Sequence, residues 1–555
     1  MKKYTFTLIS LLVFVLAALT TSAQEFPATC YRLYLHDKAL SPYSIFRPQE
    51  FLSERAIAKR QRFNIPITTQ DFPVNPNYVQ QVKTIDQDVR VLASCKWLNT
   101  ITIYCPNRNS LEQIQQLSCV DSVVPVANYD LSQPIAKQAQ TLEPPMASIV
   151  KAPQEENYYD YGNGYAQIAI HNGHLLHNQG FRGEDMLIAV FDAGWNSVDT
   201  IASFANLYQE GRMWGEIDLV PWRDNVYDGH YHGTLVTSTM AAANQSSLVG
   251  TAPKANYFFI RSEEPDMEQL IEEDFWAYAA CIADSIGADV INSSLGYTNF
   301  ADFPQVNNNY WVDMDGQHSI ASLAATILGQ KGVIVCISAG NDGANEWHYI
   351  SHPCDAFDVL AIGAADIEGN AASFSSRGPS TDGRVKPDIA SVGVSTSCIW
   401  PGDILGVADG TSLAGPVAAG LCACLWQALP EKTSHEMMQL IREAGSCFNN
   451  PNDSLGYGIP DFYAAYLNNQ VGVNEIAPAT VEVFPNPCTN ILHISNGGAQ
   501  VQRIEIFSMA GTMVKTFSSS SDLLISLDVA DLTPGFYVGK IWMKDGSVSV
   551  FKLIK

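Results

Sequence analysis

The alternation of apolar and polar positions changes character along this chain, and each change marks a different kind of folded unit. From Cys30 to about Asp130 the pattern is short and mixed. Tyr31 to His36 alternates as a strand does, Pro48 to Phe63 and Asn75 to Ile85 carry helical spacing, and Val89 to Cys105 predicts two strands around Lys96-Trp97-Leu98-Asn99. A short helix over Ser110 to Leu117 and a strand over Val120 to Ala127 complete a βααββαβ order. That order predicts a small α+β domain with its helices on one face of a sheet. A polar stretch from Ser132 to Asp160, interrupted by Pro134, Pro144, Pro145 and Pro153, reads as an exposed linker open to proteolysis.

From Tyr161 to Tyr466 continuous apolar runs alternate with helical segments. The predicted strands are Leu187 to Phe191, Tyr257 to Ile260, Val290 to Ser294, Val333 to Ile337, Val359 to Gly363 and Ile389 to Val392. The main predicted helices are Met267 to Ile286, Ile320 to Gln330 and Ser412 to Ala428. Strands with no polar face, separated by helices, imply an α/β fold: a doubly wound, mostly parallel sheet covered on both sides. Such sheets bind ligands at the carboxyl ends of their strands. After a connector (Asn468 to Ala479) the chain turns all β. Arg503 to Phe507 alternates, Pro534-Gly535 marks a turn before Phe536 to Met543, and Asp545-Gly546 signals a hairpin, which together predict a small sandwich. The expected boundaries are 24–131 for the α+β domain, 132–160 for the linker, 161–467 for the α/β domain, 468–480 for the connector and 481–555 for the sandwich.

Composition narrows the setting. A length of 555 residues suits three or four domains at roughly 100 to 200 residues each. With 46% hydrophobic and 16% charged residues the chain has material for packed cores. A net charge of −25 argues against nucleic acid as a partner, since phosphate binding needs a basic surface. Lys2 and Lys3 precede an apolar run from Leu8 to Leu19 that ends in Thr20-Thr21-Ser22-Ala23, which reads as a signal peptide over residues 1–23 and hence an exported chain. The run is short for a bilayer core of about 30 Å. Export permits disulfides among the 12 cysteines. Cys281, Cys336, Cys422 and Cys424 lie in apolar segments and are expected as buried free thiols, whereas Cys30, Cys95, Cys105 and Cys119 could pair among themselves in any of three ways.

Four segments place reactive groups at predicted strand or helix ends. Ile188 to Gly194 is a buried strand finishing in Asp192, a position that would hold a carboxylate rigid and dry. His230-Tyr231-His232-Gly233-Thr234 precedes a helix of small residues and offers an imidazole as general base; His232 is favoured because Gly233 allows close approach. Gly410-Thr411-Ser412 opens a helix rich in Gly and Ala, where free N–H groups and the helix dipole suit a developing oxyanion beside Ser412. Ser338-Ala339-Gly340-Asn341 follows a strand and supplies an amide as a second oxyanion donor. Singly, each has a plain structural explanation as a cap or turn residue.

Taken in order, Asp192, His232, Asn341 and Ser412 resemble the subtilisin-like (subtilase) serine peptidases, whose triad runs Asp, His, Ser along the chain. Gly250-Thr251-Ala252-Pro253, Asp289 to Asn292, Ser293 to Gly296, Ser375 to Pro379 and Lys386 to Ile389 also look like landmarks of that family. The resemblance implies a secreted endopeptidase with Ser412 as nucleophile, His232 as general base and acid, Asp192 as its orienter, and Asn341 with the Ser412 N–H as oxyanion hole. It further implies that Ser294, Leu295 and Gly296 pair with the substrate backbone, and that Ala339 and Gly340 line the pocket for the residue before the scissile bond. Ala193, Leu235 and Leu413 depart from the family's usual Thr or Ser, second His, and Met. No cofactor is required on this reading. Members often bind calcium, and no compact run of acidic ligands assigns a site here.

The flanking units fit the same family context. The N-terminal domain resembles an inhibitory propeptide, with Leu52 to Ala56 and Lys96 to Asn99 similar to subtilases of Bacteroidetes, so cleavage between Ser132 and Asp160 is expected to activate. Val483-Phe484-Pro485-Asn486-Pro487, Leu532 to Tyr537 and the ending Phe551 to Lys555 resemble a type IX secretion sorting domain, which implies secretion or cell-surface display through that machinery. Protein or peptide substrates and a monomeric state are expected. Two rivals are a surface protein whose subtilase domain only binds, against which the intact tetrad argues, and an esterase, against which the missing Gly-x-Ser-x-Gly elbow argues.

Overall fold

The computed structural model describes residues 28–131, 157–221, 225–303, 311–469, 482–495, 501–508, 512–520, 524–544 and 548–555. The signal segment, most of the linker and connector, and Asp545-Gly546 lie outside the described residues. Met1–Asn469 and Gln470–Lys555 form two compact units.

The N-terminal domain is an antiparallel sheet in the order Arg90–Cys95, Thr100–Tyr104, Cys30–Leu35, Val120–Ala127. Helices Pro76–Lys83 and Arg108–Gln115 begin at Asn75 and Asn107, whose side chains accept a backbone N–H of the first turn. They pack Val82, Leu111 and Ile114 against Leu33, Ile101 and Ile103 on one face of the sheet. The segment expected as one helix over Pro48 to Phe63 is split. Ser53 caps Ala56 N–H at 3.1 Å and restarts the chain as helix Glu54–Arg62, which packs on helix Ile271–Ile286 of the next domain rather than on its own sheet.

The α/β domain is built on a seven-stranded parallel sheet in the order Ile389–Val392, Leu360–Ala365, Ile334–Ser338, Val290–Ser293, Leu187–Asp192, Asn256–Arg261, Met213–Asp218. Its strands are apolar on both faces because both are covered. Ile188 and Val190 point to the layer holding helix Thr411–Ala428. Leu187, Ala189 and Phe191 point to the layer holding helices Ile271–Ile286 and Ile320–Gln330. The N-terminal domain extends that second layer, adding Cys30, Ala93, Cys95 and Trp97 to the same core. Met213–Asp218 escapes the sequence pattern: at the sheet edge its positions alternate between half-buried and exposed, and they include the exposed Glu216 and the half-buried Asp218.

All 12 cysteines are free thiols, so the pairing considered for the N-terminal four does not occur. Cys95 faces Cys281 of the α/β domain, with the sulfurs 3.7 Å apart, because strand Arg90–Cys95 packs on that helix. The C-terminal unit has a three-stranded and a four-stranded antiparallel sheet, and Leu492, Ile494, Leu527, Ile504, Ile541 and Leu553 from both fill one core, as a sandwich requires. Among the described residues no helix is long and apolar enough to cross a membrane.

Candidate active site

Two neighbouring segments bring the acid and the imidazole together. Strand Leu187–Asp192 ends with the Asp192 carboxylate fully buried. Ala193 brings no side-chain hydroxyl to this carboxylate, and its backbone N–H donates to Asp192 Oδ1 at 2.7 Å. His232 is the first residue of helix His232–Ala241, and its Nδ1 lies 2.9 Å from Asp192 Oδ1 and 3.1 Å from Oδ2. Nδ1 therefore carries the proton and Nε2 is left as the acceptor a general base needs. Burial pushes the His232 pKa down, but the charge and hydrogen bond of Asp192 outweigh it and hold it above the ordinary value. Gly233 is needed where it stands, since a Cβ there would lie 2.5 Å from the Gly194 carbonyl oxygen. His230 does not meet the carboxylate; its Nδ1 accepts the His232 backbone N–H at 3.2 Å.

The other half is a helix start held by strand ends. Gly410, at φ +151°, turns the chain into helix Thr411–Ala428, which makes Ser412 the second helical residue and not its cap. Its N–H lies in the first turn, where an α-helix offers no internal acceptor, and at the positive end of the dipole. Asn341 Oδ1 accepts from both the Thr411 N–H, at 2.9 Å, and the Thr411 hydroxyl, at 3.0 Å. That pair of bonds fixes the amide so that Nδ2 faces away from Thr411, 3.8 Å from where a Cβ on Gly410 would sit. Ser338 Oγ donates to the Thr411 carbonyl at 3.0 Å, Ser294 Oγ to the Ser412 carbonyl at 2.9 Å, and Asn292 Nδ2 to Ser294 Oγ at 3.0 Å. Thr411, Ser338 and Asn292 are positioning residues, which along the sequence stand inside the motifs without a role of their own. Their hydroxyls and amide are ordinary in composition, and only the fold aims them at the helix start.

An apolar contact joins the halves. Leu235, one turn into the His232 helix, packs with Leu413, next to Ser412, and with Cys398. The departures at positions 235 and 413 are thus in one cluster, each filling space against the other. Of the residues expected to hold substrate, Ser294 and Leu295 are buried and Gly296 is exposed where the Val290–Ser293 strand runs on to pair Tyr297 with His352. Ala339 is buried with its N–H on the Ile362 carbonyl, and the Gly340 N–H donates to Thr411 Oγ1 at 3.3 Å.

A parallel sheet whose carboxyl edge joins a buried Asp to a partly exposed His, with a serine in the first turn of a helix packed on the His helix, is the arrangement of a serine hydrolase of the α/β class. Comparison with known proteins gives the family. Residues 183–458 match the Subtilase family, residues 30–142 the peptidase S8 propeptide domain of Bacteroidota, and residues 482–555 a secretion system C-terminal sorting domain. M-protease of Shouchella clausii (strain KSM-K16) is 28% identical over 294 residues, covering 52% of this chain and 66% of that protein. Subtilisin E of Bacillus subtilis (strain 168) is 27% identical over 290 residues, covering 51% and 65% respectively. Subtilisin BL of Lederbergia lenta is 29% identical over 290 residues, covering 52% and 93%. The chain thus spans just under two thirds of the length of the first two relatives. A solved structure of MycP3 protease, from the type VII (ESX-3) secretion system, overlaps 60% of this chain and 94% of that one at 21% identity and a TM-score of 0.44. The chain belongs to the subtilase family of serine peptidases, and carries a Bacteroidota-type propeptide domain and a C-terminal secretion sorting domain.

Proposed function

We propose that this chain is a secreted serine endopeptidase working through Ser412, His232 and Asp192. His232 Nε2 takes the hydroxyl proton as Ser412 Oγ attacks the scissile carbonyl, and the imidazolium is stabilised by Asp192. The carbonyl oxygen, now negative, receives hydrogen bonds from the Ser412 N–H and Asn341 Nδ2. His232 then returns the proton to the leaving amine as the C–N bond breaks, leaving an acyl ester on Ser412. Water, deprotonated by the same imidazole, hydrolyses it. The sorting domain supports delivery to the medium or cell surface through the secretion machinery, with a monomer acting on protein substrates. The N-terminal domain, packed into the same core as helix Ile271–Ile286, supports a role as a propeptide whose linker is cut on activation.

The observation that carries the reading is the Asp192–His232 pair, with one nitrogen bonded and the other free. The test is labelling with a fluorophosphonate probe after propeptide removal, alongside a casein zymogram. Wild type should label and clear casein, and Ser412→Ala should do neither. Labelling that survives in Ser412→Ala, or no labelling of the processed wild type, overturns the proposal.

A further inference from the structure

The catalytic edge holds a second group of acids that the reaction does not use. Asp192 and Arg261 are partners in the sheet register, and the Ser262 N–H donates to the Asp192 carbonyl at 3.2 Å. Glu263, the next residue, therefore leaves the sheet edge beside the triad, where it is half-buried. Behind it stands Glu272, in the first turn of helix Ile271–Ile286 and only 1% exposed. Glu272 Oε1 accepts the Glu264 N–H at 3.2 Å, whereas Oε2 is buried with no hydrogen-bond partner and faces Glu263 and Glu268. The Tyr297 hydroxyl, directly after the substrate-pairing segment, is buried and unpartnered too.

Among the described residues no lysine or arginine forms an ion pair with Glu263 or Glu272, and the one nearby group that can turn cationic is the His232 imidazole. Arg261 is spent on Asp218, at 3.0 and 3.1 Å, on Glu264 at 2.5 Å, and on the Ala193 carbonyl. Burial, with Glu268 and then Asp192 nearby, pushes the Glu263 carboxyl up to about 8. Among the described residues no group of three or more His, Cys, Asp or Glu is arranged to hold a metal ion. A cation brought on a flexible arm fits better than one needing a rigid shell of ligands.

Sheet order says where that arm comes from. A substrate strand laid along Ser294–Gly296, the extension of strand Val290–Ser293, has strand Ile334–Ser338 with Ala339-Gly340 on one side. On the other side lie strands Leu187–Asp192 and Asn256–Arg261, with His232 and Glu263 at their ends. Side chains of an extended chain alternate between its two sides. The residue that contributes the scissile carbonyl points to Ala339-Gly340, so the one before it points to His232 and Glu263. Resting on the peptidase reading above, we propose that Glu263, backed by Glu272, forms a specificity subsite for a lysine or arginine at the substrate position before the one that is cleaved.

The test uses the processed full-length enzyme and peptides that differ only at that position, carrying lysine, arginine, leucine or glutamate, with kcat/KM scaled to the fluorophosphonate-labelled fraction. Lysine and arginine should exceed leucine by about tenfold or more, as expected for a charge-assisted hydrogen bond in a partly buried site, with glutamate the poorest. Glu263→Gln should bring the lysine-to-leucine ratio towards one, and Glu272→Gln should lower it in part. Labelling and hydrolysis without a basic preference overturn the subsite alone. So does a wild-type preference that both variants retain, or calcium raising the melting temperature in a Glu272-dependent way with no effect of either variant on the ratio. If no peptide is hydrolysed and nothing labels, the peptidase reading fails and the subsite falls with it.

Discussion

Buried acids on and beside helix Ile271–Ile286 fall into two sets, one paired with cations and one not, and the two differ in how they hold their protons. Asp274 takes Arg32 Nε and Nη2 at 2.7 and 2.6 Å and the Thr102 hydroxyl at 2.6 Å. Asp284 takes Arg60 and Lys96, both at 2.7 Å, and Asp289 pairs with Arg55. Every one of those cations belongs to the N-terminal domain. Although burial alone would raise the Asp284 carboxyl, Lys96 and Arg60 bring it down to about 2. Glu272, on the same helix and equally buried, has no such cation and is held well above the ordinary glutamate value. Desolvation is common to both, so the presence of a partner decides the sign. One group fastens the N-terminal domain, and the other stays open at the catalytic edge.

Removing acids should therefore do opposite things in the two places. The largest effect is expected for Asp284→Asn, which removes the carboxylate partner of Lys96 and leaves Arg60 with Asp71 alone, and should cost the precursor about 3–5 kcal/mol in urea unfolding. Because the native pKa of Asp284 is depressed, its stabilising contribution is complete above the ordinary carboxylate value and lost as pH falls towards about 2. The variant's deficit should shrink over that window. Glu272→Gln keeps the Oε1 acceptor and should act with the other sign. A raised native pKa means that stability is intact below the unfolded value and is lost as pH rises. The variant should match wild type near pH 4, below the ordinary glutamate value, and exceed it by about 1–3 kcal/mol near pH 9 in the same assay. The smallest effect is expected for the exposed pair Arg108–Glu112, where Glu112→Gln should change stability by no more than about 0.5 kcal/mol. If Asp284→Asn behaved like Glu112→Gln, the fastening would be no stronger than a surface pair.

The sheet was legible in the sequence wherever strands are buried on both faces, because Leu187–Asp192 or Ile334–Ser338 can only be an unbroken apolar run. The triad candidates and Asn341 were legible because small residues cluster around them. The edge strand Met213–Asp218 was not, since its exposed side admits Glu216, nor was the hairpin Thr396–Trp400 with Ile404–Ala408. The helix expected from Met267 starts at Ile271, after a loop in which the Glu264 N–H is tied to Glu272. That loop is also why the acidic group went unseen. Glu263, Glu268 and Glu272 are spread over a strand end, a turn and a helix, and read along the chain they are ordinary surface acids. The charges that fasten the N-terminal domain were hidden likewise, because Arg32 and Asp274 are 242 residues apart.

The contact between Leu235 and Leu413 also bears on chemical durability. A thioether beside a nucleophile is a target for peroxide, and its sulfoxide would place a polar, bulkier group against the reacting serine. Leu413 has no sulfur to oxidise. Cys398 does bring sulfur into that cluster, but it is fully buried and its thiol is pushed up to about 12, so it stays protonated and unreactive. Neither Leu413 nor Cys398 therefore offers oxidants a ready point of attack.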